Sequence, residues 1–109
     1  MAYNEDLAHR LRGALAAQGG VSERKMFGGL VIMVNGHMCC GVMGDELMVR
    51  VGPAQHDAAL ALPHARMMAL GGRPMRGMII VDAEGAAGDE ELAAWVGRGL
   101  AFVASLPPK

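Results

Sequence analysis

Residues 30–51, LVIMVNGHMCCGVMGDELMVRV, decide how this chain folds. Asn35-Gly36 stands between two apolar runs, and that dipeptide favours a two-residue turn in which both positions take positive φ. The runs on either side therefore form an antiparallel hairpin, with Val34 opposite His37, Ile32 opposite Cys39 and Val31 opposite Cys40. Gly44-Asp45-Glu46 reads as a three-residue loop into a further strand, setting Met43 against Leu47 and Cys40 against Arg50. Side chains alternate along a strand. Leu30, Ile32, Val34, Cys39, Met43, Leu47, Val49 and Val51 are thus expected on one face, with His37 at its turn end. Val31, Met33, Met38, Cys40, Val42, Met48 and Arg50 are expected on the other.

This phasing sends Cys39 and Cys40 in opposite directions, so they cannot ligate one metal without breaking the ladder. Buried free cysteine behaves as a small apolar residue, and the pair reads as core or interface thiols with neither a metal nor a cofactor implied. His37 shares a face with Cys39, yet a histidine at a turn edge reads as solvated rather than as half of a dyad.

Working outward, Asn4 caps a first helix whose stripe is Leu7, Leu11, Ala14 and Leu15, closed by the glycines at 19–20. SERKMF, residues 22–27, is a short first strand before Gly28-Gly29. Pro53 opens a helix to about Leu62, and Pro63 stops it. Residues 63–77 hold a short strand near Met67 and Met68, then a glycine- and arginine-containing loop at 71–77, before the strand MIIVD. A last helix begins at Gly88 or Asp89, carries Leu92, Trp95, Val96, Leu100, Phe102 and Val103, and ends at Pro107 and Pro108. Hairpin-length connections require an antiparallel sheet. The fold class is α+β: about five antiparallel strands with flanking helices, in the order α-β(3-4)-α-β(1-2)-α, as a single domain over 1–109.

Composition narrows the function. Net charge is −1, only Lys25 and Lys109 are lysines, and Tyr3, Phe27, Trp95 and Phe102 are the aromatics. With no basic block and little to stack bases on, nucleic-acid binding is disfavoured. Two adjacent cysteines build no disulfide framework, and no apolar run reaches membrane-spanning length, so a cytoplasmic, non-membrane protein is expected. Threonine is absent, and neither Ser22 nor Ser105 sits in a nucleophile pattern. With no catalytic set, a non-enzymatic role is favoured over an enzyme.

Two surfaces remain as candidates. Both faces of the central sheet are apolar, while the helices suffice for one unless a helix crosses over. Val31, Met33, Met38, Val42 and Met48, with Arg50 beside them, are therefore expected to dock a protein partner, most simply a second copy in a two-fold homodimer. Arg24, Lys25, Arg73 and Arg76 form the alternative, a site for a small anionic ligand centred on the 71–77 loop, to which Arg50 could contribute.

RKMFGGLVIMVNGHMCCGV at 24–42, LMVRVGP at 47–53, GRPMRGMIIVD at 72–82 and WVGRGLAF at 95–102 together resemble the N-terminal domain of the TfoX/Sxy family. Lys25, Met26, Phe27, Gly28, Gly29, Arg50, Arg73 and Trp95 match positions that look characteristic of it; Gly88 departs from it, standing where a serine or threonine cap is expected. The resemblance implies a small α+β domain of the type grouped with secretion-chaperone-like folds, and a link to regulation of bacterial competence genes. It supplies no catalytic residues. Full-length regulators of the family carry a second domain, for which the residues up to SLPPK leave no room, so a stand-alone member is expected. The expected function is a dimeric, non-enzymatic protein-interaction module; a small anionic-ligand-binding protein or enzyme using the 71–77 loop, and a transcriptional co-regulator contacting nucleic acid, are the alternatives.

Overall fold

The computed structural model describes residues 3–107, so Pro108 lies outside the described region. Helix α1 (Glu5–Ala14) starts where Asn4 Oδ1 accepts the Leu7 N–H at 3.0 Å, and it buries Leu7, Ala8 and Leu11. Strands β1 (Val21–Met26), β2 (Gly29–Val34), β3 (His37–Met43) and β4 (Glu46–Arg50) follow as a meander. A 3-10 turn at Pro53–Gln55 leads into the five-residue α2 (His56–Leu60), shorter than the helix expected to Leu62. Then come β5 (Ala65–Leu70), β6 (Arg73–Val81) and α3 (Asp89–Ala104). The fold is α+β, with six strands rather than five in one antiparallel sheet ordered β1-β2-β3-β4-β6-β5.

The helices all pack on one face of the sheet. Leu7, Leu11 and Leu15, Ala59, and Leu92, Trp95, Val96 and Val103 close over Leu30, Ile32, Val34, Leu47, Val49, Ile79 and Val81. Gly88 offers α3 no side-chain cap. Arg10 from α1 instead ties down that end, donating to the Ala87 carbonyl at 3.0 Å and to Asp89 at 3.1 Å.

Asn35 and Gly36 turn the β2–β3 hairpin at φ 53° and 83°, and Val34 pairs with His37 as expected. Beyond that pair the register differs from a regular ladder. Met33 pairs with Met38, but Ile32 pairs with Cys40, leaving Cys39 as an extra residue in a β-bulge. A one-residue insertion moves every later side chain of the strand to the other face. Cys40 and Val42 therefore join Cys39 in the helix-covered core, and Met43 moves to the opposite face. The expectation that the two thiols diverge, and that Val42 shares a face with Met33, is overturned. The next turn is also tighter than expected: Gly44-Asp45 is a two-residue turn, with Met43 opposite Glu46 and Cys40 opposite Val49.

No described helix crosses to the second face; methionines fill it instead. Val31 and Met48 are fully buried there with Met68, Met78 and Ile80, and Met26, Phe27, Met33, Met38, Met43 and Met75 pack around them. Eight of the ten methionines thus gather on this side, and the helix-side core has none. Their long unbranched side chains close a surface that no second layer covers. Val21 and Met67, at 39% and 38%, are the exposed large apolar side chains among the described residues, while Met26, Met33, Met38, Met43 and Met75 of this face are half-buried.

The expected 71–77 loop is mostly strand. Gly71-Gly72 is the turn, and β6 begins at Arg73. The strand then breaks step: Ala69 pairs with Pro74 but Met67 with Ile79, so residues 75–78 bulge out of the β5 ladder. Gly77, at φ 89°, bridges the bulge by accepting the Val51 and Gly52 N–H groups at 2.8 and 3.1 Å. Its own N–H goes to Nδ1 of buried His56 at 2.8 Å. That leaves Nδ1 as the acceptor and the proton of the neutral ring on Nε2.

Candidate functional site

Four consecutive strands line a trough on the methionine face: β1 through Arg24 and Met26, β2 through Met33, β3 through Met38 and β4 through Arg50. Arg24 stands opposite Val31 and Arg50 opposite Met78, so pleat alternation turns both toward this side. The 75–78 bulge and Phe102, reaching round from α3, complete a cavity of about 520 Å³.

The trough has a one-sided electrostatic character. Arg50 is only partly exposed; its Nη1 donates to the Met38 carbonyl at 3.4 Å, and its guanidinium carbon lies 5.1 Å from the Phe102 ring centroid. Arg76 pairs with Asp57 at 3.3 and 3.5 Å, both groups being exposed. Among the described residues neither Arg24 nor Arg50 has a carboxylate partner, and no aspartate or glutamate lines the cavity. The carboxylate nearest in kind on this face, Glu46, is held by Arg66 through two contacts of 2.6 Å.

Residues singled out from the sequence separate here. Met33, Met38 and Arg50 line the trough. Val31 and Met48 are wholly buried in the same cluster and present no surface, while Val42 belongs to the other side. Of the four cations first grouped for an anion, Arg24 and Arg76 reach the cavity. Lys25, opposite Leu30, turns instead to a separate hollow beside Tyr3 and Phe27, and Arg73 is exposed at the start of β6, away from the lining. Met26, Met75, Met78 and Phe102 were not foreseen. A signal for the methionines lay in the sequence: Met33, Met38, Met43 and Met48 recur every five residues along the meander.

The two thiols sit directly under α3, where Gly99 comes so close that an added Cβ would lie 2.9 Å from the Cys39 carbonyl oxygen and 3.1 Å from its sulfur. The adjacent Cys40 side chain favours the Cys39 thiolate against the cost of burial, with the charge of Arg50 assisting, and lowers the Cys39 pKa. Proximity to Cys39, together with burial, pushes the Cys40 thiol well up. His37 is not solvated: it is buried, and its Nε2–H donates to the Pro107 carbonyl at 2.6 Å. His64 pairs with Asp82 at 3.0 Å. Among the described residues no three His, Cys, Asp or Glu side chains gather as a metal-binding group. No described helix is long and apolar enough to cross a membrane.

Comparison with curated proteins gives no match, and neither does comparison with solved structures. The family model of the TfoX N-terminal domain matches residues 13–103, from the end of α1 through all six strands and nearly all of α3. The resemblance seen in KMFGG and the late tryptophan helix is therefore that of membership: this chain belongs to the TfoX N-terminal domain family.

Proposed function

We propose that this chain is a non-enzymatic regulatory module that acts through protein contacts, seating an apolar, acidic segment of a partner in the trough between Arg24 and Arg76. The observation that carries this reading is the composition of the lining: three guanidiniums, five methionines and a phenylalanine, with no carboxylate. Methionine side chains re-pack around varied apolar shapes, and guanidinium forks pair with carboxylates in fixed geometry. A foreign acidic segment suits this lining better than a second copy. A two-fold contact through the same trough would set like-charged arginines against one another, which disfavours the homodimer. The cavity volume supports a second reading, a small amphipathic anion, since about 520 Å³ falls within the range of small-molecule sites.

The test is fluorescence anisotropy with labelled peptides that combine leucine with aspartate, their lysine counterparts, and a dodecyl phosphate competitor. The reading expects the acidic peptides to bind, the lysine peptides not to, and Met38→Glu to abolish binding while leaving the circular dichroism spectrum unchanged. Binding of dodecyl phosphate alone would select the small-anion reading. A chain that sediments as a dimer, becomes monomeric on Met38→Glu and binds no peptide would overturn both readings in favour of self-association.

A further inference from the structure

Building on the docking reading above, we infer that the partner segment is an extended strand lying across the sheet, anchored by two acidic residues four positions apart, one on Arg50 and the other on Arg24. The two arginines are those of the trough without a carboxylate partner among the described residues, whereas Arg76 is engaged by Asp57. Arg24 is on β1 and Arg50 on β4, with β2 and β3 between them. Three strand spacings across the sheet, with a two-residue offset because Arg24 stands level with Met48 through Val31 and Gly41, put their Cα atoms roughly 16 Å apart. Met33 and Met38, directly paired across β2 and β3, fill the gap as an apolar saddle.

An extended chain rises about 3.3 Å per residue and points alternate side chains the same way. Positions i and i+4, about 13 Å apart, therefore reach both anchors within the length of an arginine side chain, and i+2 faces the saddle. The pattern is acid-x-apolar-x-acid. A helix presents positions i and i+4 only about 6 Å apart, too close to reach both arginines. Arg50 is the more ordered anchor, because the Met38 carbonyl and the Phe102 ring already orient it. Arg24 lies exposed on the edge strand and closes on the segment second.

The experiment measures the affinity of labelled peptides with two aspartates at spacings of two, four and six residues around a central leucine, against the wild type, Arg24→Gln, Arg24→Lys and Arg50→Gln. The four-residue spacing should bind about two- to five-fold more tightly than the others, the gain expected from one further well-placed exposed ion pair. Arg24→Gln should remove that advantage and bring the four-residue peptide level with the others, Arg24→Lys should restore part of it, and Arg50→Gln should weaken every peptide. Equal affinity at all spacings, or an Arg24→Gln variant that still prefers spacing four, would overturn the two-anchor arrangement. If Met38→Glu still abolishes binding in that case, the docking reading survives. Absence of binding by every peptide would remove both.

Discussion

The Arg50 guanidinium lies over the Phe102 ring, 5.1 Å from its centroid, and so joins the last turn of α3 to the wall of the trough. Gly52 makes the approach possible, because a Cβ at that position would collide with the ring, and the backbone there stands at φ 84°. Gly52→Ala should therefore combine a left-handed alanine with a displaced ring and lower stability by about 1–3 kcal/mol. Urea denaturation measures it. An unchanged midpoint would show that Phe102 swings away freely and does not fix Arg50.

Two glycines of α3 two residues apart should respond with opposite signs. An alanine Cβ at 99 meets the Cys39 carbonyl and sulfur at 2.9 and 3.1 Å, whereas one at 97 meets nothing within 4 Å. Gly97→Ala should raise stability by about 0.5–1 kcal/mol, since alanine is the better helix former. Gly99→Ala should lower it by about 1–3 kcal/mol through overpacking against the bulge. Thermal melts of the pair decide the matter, and equal shifts of the same sign would argue against close seating of α3 on β3.

The thiols should be protected. Both cysteines are wholly buried, and reactivity requires an accessible thiolate. In the native protein at pH 8 a chromogenic disulfide reagent should titrate neither thiol on the timescale of a free cysteine, and after denaturation it should titrate both. Rapid labelling of Cys39 in the folded chain would show that the layer above the bulge opens readily.

Acid should weaken the fold in a defined window. The Arg12 side chain, hydrogen-bonded at 2.7 Å, holds the Glu23 carboxyl below its ordinary value of 4.5, and the Gly85 N–H holds Asp82 below 3.8, with His64 assisting. Groups lowered in the folded state stabilise it fully above their unfolded values, and that contribution disappears as pH falls through the folded values. The melting temperature should accordingly be flat near neutrality and fall below about pH 4.5. Arg12→Ala should cost no more than about 1 kcal/mol at pH 7, the pair being 41% and 38% exposed. It should also make the acid limb shallower. An identical acid limb in the variant would mean that Glu23 contributes nothing to it.

The local signals in the sequence were sufficient for the architecture. Asn35-Gly36 set the β2–β3 hairpin, Asn4 and the acidic residues after it started α1, and the stripe through Leu92, Trp95, Val96 and Val103 gave α3 its buried side. Each depends on a few neighbouring residues and on backbone preferences that hold wherever the segment lies.

Tertiary packing decided which face each residue of β3 occupies after Met38. Strict alternation puts Met38 and Met43, five residues apart, on opposite sides; one extra residue puts them together and sends Val42 to the helices. That extra residue is Cys39, and the bulge it forms is enclosed by Gly99, sixty residues further along the chain. The trough is similarly non-local. Arg24 and Arg50 become partners in one cavity only because β1 to β4 lie side by side, and the 75–78 bulge and Phe102 then wall it. The alternating pattern of a strand shows that two faces exist. Which atoms cover them depends on distant helices and strands, whose close packing no short stretch of sequence contains.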